Sequence, residues 1–165
     1  MDWESVPVSI EAFKAANRRF ATGVTIVTTR NGDAIHGFTV NAFASVTAEP
    51  PTVLVCVNRT ARAHPIITDS GGFCVNILAL EQQALAEKFQ GGEPHERFKD
   101  VVHRSGPSGS PILDGVLAYF DCKVDEEINS GTHTIFIGNV LEAGEREGAP
   151  LGYFDRAYRD FKIEL

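Results

Sequence analysis

Alternation is clearest from Val116 onward, where Val116, Ala118, Phe120, Cys122 and Val124 are separated by Leu117, Tyr119, Asp121, Lys123 and Asp125. A period of two puts successive side chains on opposite faces of a strand. Asn129-Ser130-Gly131 then turns the chain, and residues 132–141 return as the partner strand of a hairpin. Earlier, residues 24–29 are β-branched throughout and are followed by Asn31-Gly32, a hairpin turn signal. The return strand starts near Ala34 and passes through Gly37, Phe38, Thr39 and Val40 into a looser segment ending at Ala48.

Pro50-Pro51 is a hard break, after which residues 52–57 and 73–78 read as strands, the second reset by Gly71-Gly72. Ile10, Phe13, Ala16, Asn17 and Phe20 recur at helical intervals and predict an amphipathic helix over 10–20, with Arg18 and Arg19 at its C-terminal end. Shorter helices are expected at 61–68 and at 80–89, where Leu85 and Phe89 share a face. Residues 91–111 are rich in Gly, Pro, Ser and charge and read as a long surface loop, and a last strand lies near 151–154. About six or seven strands with two or three short helices, joined mostly by hairpins, predict a mainly β fold. The expected form is an antiparallel barrel with helical additions, in one domain over residues 1–165.

Composition narrows the function classes. The net charge of -7 argues against a nucleic-acid phosphate surface. The apolar runs are of strand length, and the start at Met1-Asp2-Trp3-Glu4 lacks a basic, apolar leader, so a cytoplasmic protein without a membrane span is expected. Cys56, Cys74 and Cys122 are an odd number in apolar runs without CxxC spacing, and read as buried free thiols. The five histidines have no metal-ligand spacing. Dinucleotide fingerprint, P-loop, GxSxG and HExxH motifs are all absent.

Three segments are polar where strands would allow apolar residues. In residues 37–47, small and hydroxyl side chains would leave backbone N–H groups open to a planar ligand; an ordinary edge strand reads the same way. Asn58, Arg59 and Thr60 follow a strand and open a helix, a place for phosphate or merely a solvated turn. His133, at the tight end of the longest hairpin, is either a ligand contact or simply exposed.

Taken in order, these segments resemble the short-chain flavin reductases, the reductase components of two-component flavin monooxygenases. The likeness runs from about Phe20 to Tyr158 and rests on the ordered set rather than on any one piece. It includes residues 22–29, Gly37-Phe38-Thr39, Ala44-Ser45-Val46-Thr47, Pro50-Pro51, residues 53–58 and 72–78, and Ser110-Pro111. Residues 115–118, Gly131-Thr132-His133-Thr134, Ile137-Gly138 and residues 150–153 complete it. Within the family the chain is most like the reductase component of 4-hydroxyphenylacetate 3-monooxygenase. Thr132 stands where many relatives have an acid, and Gly152 where a bulkier residue is common.

The resemblance implies a flavin-binding split β-barrel, antiparallel and Greek-key-like, working as a homodimer with FMN or FAD near the subunit interface and NADH or NADPH as donor. It implies that Thr39, Val40, Asn41, Ser45, Val46 and Thr47 line the isoalloxazine and ribityl chain, and that Asn58, Arg59 and Thr60 lie near the flavin phosphate. Phe73 and Asn76 would flank the site, and His133, Tyr153 and Arg156 would lie near the nicotinamide. Hydride transfer between stacked rings needs positioning more than an acid or base, which suits a sequence without a catalytic pair. The implied partner is a flavin-dependent monooxygenase that receives reduced flavin. The competing readings are a non-catalytic flavin carrier and an interaction domain with no enzymatic role.

Overall fold

The computed structural model describes residues 8–162. Helix α1 (Ile10–Asn17) begins at Ser9, whose hydroxyl accepts the Ala12 N–H at 3.0 Å. The helix is shorter than the periodicity predicts. Its apolar side chains do not pack on this chain either, since Ile10 and Phe13 are 68% and 66% exposed.

The strands are β1 (Thr22–Gly23), β2 (Thr25–Asn31), β3 (Ala34–Val40), β4 (Phe43–Ala48), β5 (Pro51–Asn58), β6 (Gly72–Ile77), β7 (His103–Ser105), β8 (Pro111–Leu113), β9 (Ala118–Ser130), β10 (His133–Glu145), β11 (Leu151–Phe154) and β12 (Ala157–Asp160). Helices α2 (Ala63–Ser70) and α3 (Gln83–Gln90) stand near their expected places. The count of six or seven strands is therefore corrected to twelve among the described residues. The additional pieces are mostly two to four residues long, too short for alternation to register.

Seven strands form one antiparallel sheet in the order β3-β2-β6-β9-β10-β5-β4. The two outermost strands are consecutive in the chain and are joined only by Asn41 and Ala42. Laid flat, seven strands would separate β3 from β4 by about 29 Å at the usual strand spacing. The step from Val40 to Phe43 reaches about 11 Å at most. The sheet must therefore roll until its edges meet. No ladder joins β3 to β4, so the barrel is split along this seam.

The place of β2, an inner strand between β3 and β6, explains its unbroken β-branched run. Ile26 packs with Phe89, Leu113 and Leu151 on one face, while Val27 packs with Phe73, Val75 and Phe136 on the other. A strand buried on both faces need not alternate. Its threonines are buried too, and their hydroxyls donate to carbonyls: Thr25 to Val40 at 2.6 Å and Thr29 to Gly72 at 2.8 Å.

The segment 91–111 is less of a surface loop than its composition predicts. Phe98 is buried edge-on against Phe89, with ring centroids 5.1 Å apart. Asp121, on the face of β9 opposite Phe120, is also fully buried. Its carboxylate accepts the Ser108 N–H at 2.7 Å and the Ser108 hydroxyl at 2.6 Å. Gly106 lets the loop come this close, because a Cβ there would lie 2.6 Å from the carboxyl carbon. The three cysteines are unpaired; Cys74 and Cys122 are buried, and burial pushes the Cys122 thiol up to about 12, which leaves it unreactive.

Removing the Asp121 carboxylate by D121A should cost about 1–3 kcal/mol in urea unfolding, because the part-buried Ser108 N–H is left without an acceptor. D121N keeps one acceptor and should cost less. Burial also raises the Asp121 pKa above the ordinary carboxylate range, against the opposing Ser108 bonds. Ionisation of a group whose folded pKa is raised lowers stability. The wild type should thus lose ground to D121N as pH climbs from the ordinary carboxylate value through the raised one.

Candidate functional site

The seam concentrates what a ligand needs. Strand β3 pairs only with β2, and β4 only with β5, so each carries backbone groups on its outer side that no strand satisfies. Strand β4 is exposed over most of its length, and the register slips between Ser45 and Thr47. Val46 at this bulge has no cross-strand partner and is 50% exposed. Ser45, Val46 and Thr47 therefore stand on an open edge. The Thr47 hydroxyl is engaged locally, accepting the Glu49 N–H at 3.2 Å.

The neighbouring end of β3 is held firmly. The Thr39 hydroxyl donates to the Ala86 carbonyl at 2.6 Å, tying the strand to α3. The Val40 carbonyl accepts from Thr25, and Asn41 Nδ2 donates to Thr22 Oγ1 at 3.3 Å. A small depression of about 100 Å³ opens beside these residues, with Tyr153 and Tyr158 as its far wall. Those two rings meet edge to face at 5.7 Å. Asn41 also borders a depression with Phe20 and Phe43, and another with Tyr153 and Arg156. It is the residue where three hollows meet.

Arg156 arrives through turn geometry. Phe154 pairs with Ala157, leaving Asp155 and Arg156 as a two-residue hairpin loop with φ of 47° and 67°. Both lie in the left-handed region that matches the twist of the strands. Gly152, the departure noted above, is covered by the Phe161 ring; a Cβ there would lie 2.5 Å from it. Space that a bulkier residue would take is filled by an aromatic from beyond β12.

The segment 58–60 forms a tight turn at the end of β5. Asn58 Oδ1 accepts from the Thr60 N–H at 2.9 Å and the Thr60 hydroxyl at 2.8 Å, and the Arg59 N–H donates to the Thr132 carbonyl. His133 pairs with Asn58 across the β5–β10 ladder, is exposed, and has Nδ1 2.9 Å from the Thr132 hydroxyl. Thr132 thus contacts the imidazole of its neighbour in the chain.

Two groups of expected site residues come together: Thr39, Val40, Asn41 and Tyr153 around the small depression, with Arg156 beside it, and Asn58, Arg59, Thr60 and His133 at the strand ends. His133 does not share a hollow with Tyr153 and Arg156. The structure does not bring Phe73 and Asn76 to the surface of either group. Both are fully buried. Phe73 fills the core, and Asn76 donates to the Ile26 carbonyl at 3.1 Å while accepting the Leu113 N–H at 2.8 Å. Asn76 reads as polar and available in the sequence, but strand pairing turns it onto a buried face.

His36, Gln90 and Tyr158 escaped the sequence reading. His36 and Tyr158 hold the buried side-chain polar atoms that lack any partner among the described residues. Tyr158 lines the small depression while its hydroxyl is buried, and burial raises its pKa, with Glu87 and Tyr153 adding to the rise. No group of side chains among the described residues is arranged to hold a metal ion, and no helix there is long and apolar enough to cross a membrane.

Comparison with known proteins places this arrangement. The flavin reductase like domain family matches residues 17–162. The FMN reductase (NADH) RutF of Stutzerimonas stutzeri (strain A1501) is 44% identical over 156 residues, covering 93% of this chain and 90% of that protein. The flavin-dependent monooxygenase reductase subunit HsaB of Rhodococcus jostii (strain RHA1) is 39% identical over 147 residues, covering 88% and 75%. The structure of Streptomyces globisporus C-1027 NADH:FAD oxidoreductase SgcE6 in complex with NAD and FAD fragments superposes with a TM-score of 0.87 at 30% identity, covering 95% and 97%.

An unpartnered hydroxyl destabilises the free protein and is useful only when a ligand meets it. Y158F should therefore leave ligand-free stability unchanged or raise it by about 1 kcal/mol in urea unfolding. It should also weaken binding of whatever fills the depression. A clear loss of ligand-free stability would show that the hydroxyl already has a partner.

Proposed function

Since the chain belongs to the flavin reductase like domain family, we propose that it takes electrons from NADH, reduces FMN or FAD, and releases the product to a flavin-dependent oxygenase. The observation that carries the reading is the split seam, with unsatisfied strand edges on both sides, a bulge on β4, and two orphaned polar side chains in hollows that share Thr39. A planar, polar-edged ligand fits such a place, because backbone donors there have no competing partner. The flavin-carrier reading is the weaker one, given that relatives over about nine-tenths of the chain are named as reductases.

Bound at the seam, a flavin supplies the hydride acceptor for the nicotinamide ring. Thr39, Val40 and Asn41 hold one edge of the ligand, since their own bonds to Ala86, Thr25 and Thr22 keep them from moving. Backbone N–H groups of β4 around Ser45, Val46 and Thr47 would supply hydrogen-bond donors to the negative charge of a reduced flavin. The Asn58 turn presents Arg59 and Thr60 to the phosphate end. Tyr153 and Arg156 form the opposite wall, and His133, exposed beside Asn58 at the strand ends, would contact the nicotinamide donor from there, so no residue has to act as an obligatory acid or base. NADPH is a permitted donor, and an open seam that binds without enclosing suits a ligand that must leave.

The protein acts as one cytoplasmic domain over residues 1–165 and as a homodimer. Support for the dimer is the apolar surface left on α1 and the chain after it: Ile10, Phe13 and Phe20 are each more than 60% exposed. Phe20 also borders the hollow next to Asn41, so covering this surface would close the site from outside.

Following loss of the NADH absorbance band with added FMN, FAD or riboflavin tests the activity. Turnover should rise with free flavin, and flavin binding without turnover would favour the carrier. H133A should lower kcat/KM for NADH about tenfold or more while flavin binding persists; unchanged hydride transfer and NADH affinity would remove His133 from the site. F13D should shift the protein to a monomer in sedimentation and weaken flavin binding, whereas a wild type that is monomeric would refute the dimer.

A further inference from the structure

Gly152 is a glycine for lack of room, not for backbone freedom. Its φ lies outside the left-handed region, and a Cβ there would lie 2.5, 2.6 and 2.8 Å from three carbons of the Phe161 ring. The ring therefore rests on the backbone of β11 itself. Glycine inside a strand weakens it, and a close approach of this kind is what a strand glycine permits. Across the ladder Gly23 faces Gly152, and a Cβ on Gly23 would meet nothing within 4 Å. Strand β1 thus offers no side chain to this face, and Phe161 supplies one.

The strand under the ring carries the tyrosine wall. Side chains alternate along β11, so Tyr153 points away from the face that Phe161 covers. There it meets Tyr158 and lines the depression beside Thr39, Val40 and Asn41. Leu151 is well anchored: it is buried, its N–H donates to the Leu78 carbonyl at 3.0 Å, and its carbonyl accepts from Val24 at 3.1 Å. Beyond it the support thins. Strand β11 pairs with β1 through two residues and otherwise with β12, and this small sheet shares no ladder with the seven-stranded one. A hairpin so little supported is marginal without packing on a face. Phe161 is itself held in place. The Asp160 carboxylate accepts the Lys162 N–H at 2.7 Å, and Lys162 has a φ of 51°, which bends the chain back after the ring. The ring is 40% exposed and packs in neither half of the core.

We propose that Phe161 is a positioning residue, which by resting on Gly152 holds Tyr153 and Tyr158 in place as one wall of the ligand site. It supplies, from a later part of the chain, the bulk that a larger residue at 152 would supply itself. Its effect on the reaction rests on the reductase reading, in which this wall meets the nicotinamide donor. Small misplacements of the reacting rings slow hydride transfer steeply. The stiffening of β11 does not depend on that reading.

Full-length F161A, G152V and G152V/F161A proteins, compared with wild type, test the assignment. F161A removes a half-exposed ring and leaves both halves of the core intact. In ligand-free protein, amide hydrogen exchange over residues 151–160 should be about tenfold faster in F161A. With flavin in excess, kcat/KM for NADH should fall about tenfold in the same variant. Both effects should vanish in the G152V background, because a β-branched residue stiffens the strand without the ring. G152V alone should match wild type, since the exposed ring can swing aside. Unchanged exchange in F161A, or equal losses from F161A in both backgrounds, would overturn the proposal. Faster exchange with unchanged kinetics would also overturn the positioning role, since β11 would then move without consequence. A wild type that oxidises no NADH with any flavin would defeat the reductase reading instead, and the exchange comparison would still decide whether Phe161 holds β11.

Discussion

A two-residue link between strands at opposite edges of one sheet governs this molecule. Asn41 and Ala42 cannot span a flat seven-stranded sheet, so the sheet curls and its edges are brought face to face. They meet without pairing. The unsatisfied backbone of β3 and β4 is thereby concentrated along one line, and the hollows around Asn41 open on that line. Barrel closure and the hollows at the seam are two consequences of one constraint.

Closing the barrel also demands that β2 be buried on both faces, and the chain meets this with β-branched residues whose hydroxyls find carbonyls. Polar satisfaction in the core is close to complete: Asp121 binds Ser108, and Asn76 bridges Ile26 and Leu113. Against that background the unpartnered atoms of His36 and Tyr158 stand out. Buried polar groups are ordinarily hydrogen-bonded, and these two exceptions line neighbouring hollows that share Thr39 and Gln90.

Much of the fold was legible because long strands carry their pattern in the chain. The hairpin of β9 and β10 shows as alternation, the β2–β3 turn as Asn31-Gly32, and α3 as the spacing of its apolar residues. The short strands β7, β8 and β12 were not legible, because three or four residues hold too little periodicity. The burial of Phe73 and Asn76 was not legible for a related reason: a sequence shows which residues share a face of a strand, but not which face looks toward the core.

The sequence by itself determined the mainly β class, the free thiols, the absence of the common nucleotide and nucleophile motifs, and the segments 37–47, 58–60 and 131–134 as the places of interest. Those are properties of composition and of near neighbours in the chain, which local chemistry dictates. Only the tertiary structure decided that Tyr158 faces Thr39, that His133 stands beside Asn58 rather than Tyr153, and that His36 is buried between two arginines from distant segments. These are contacts between residues far apart in sequence. They exist because the sheet is forced to roll, and no local pattern of residues encodes where its edges will meet.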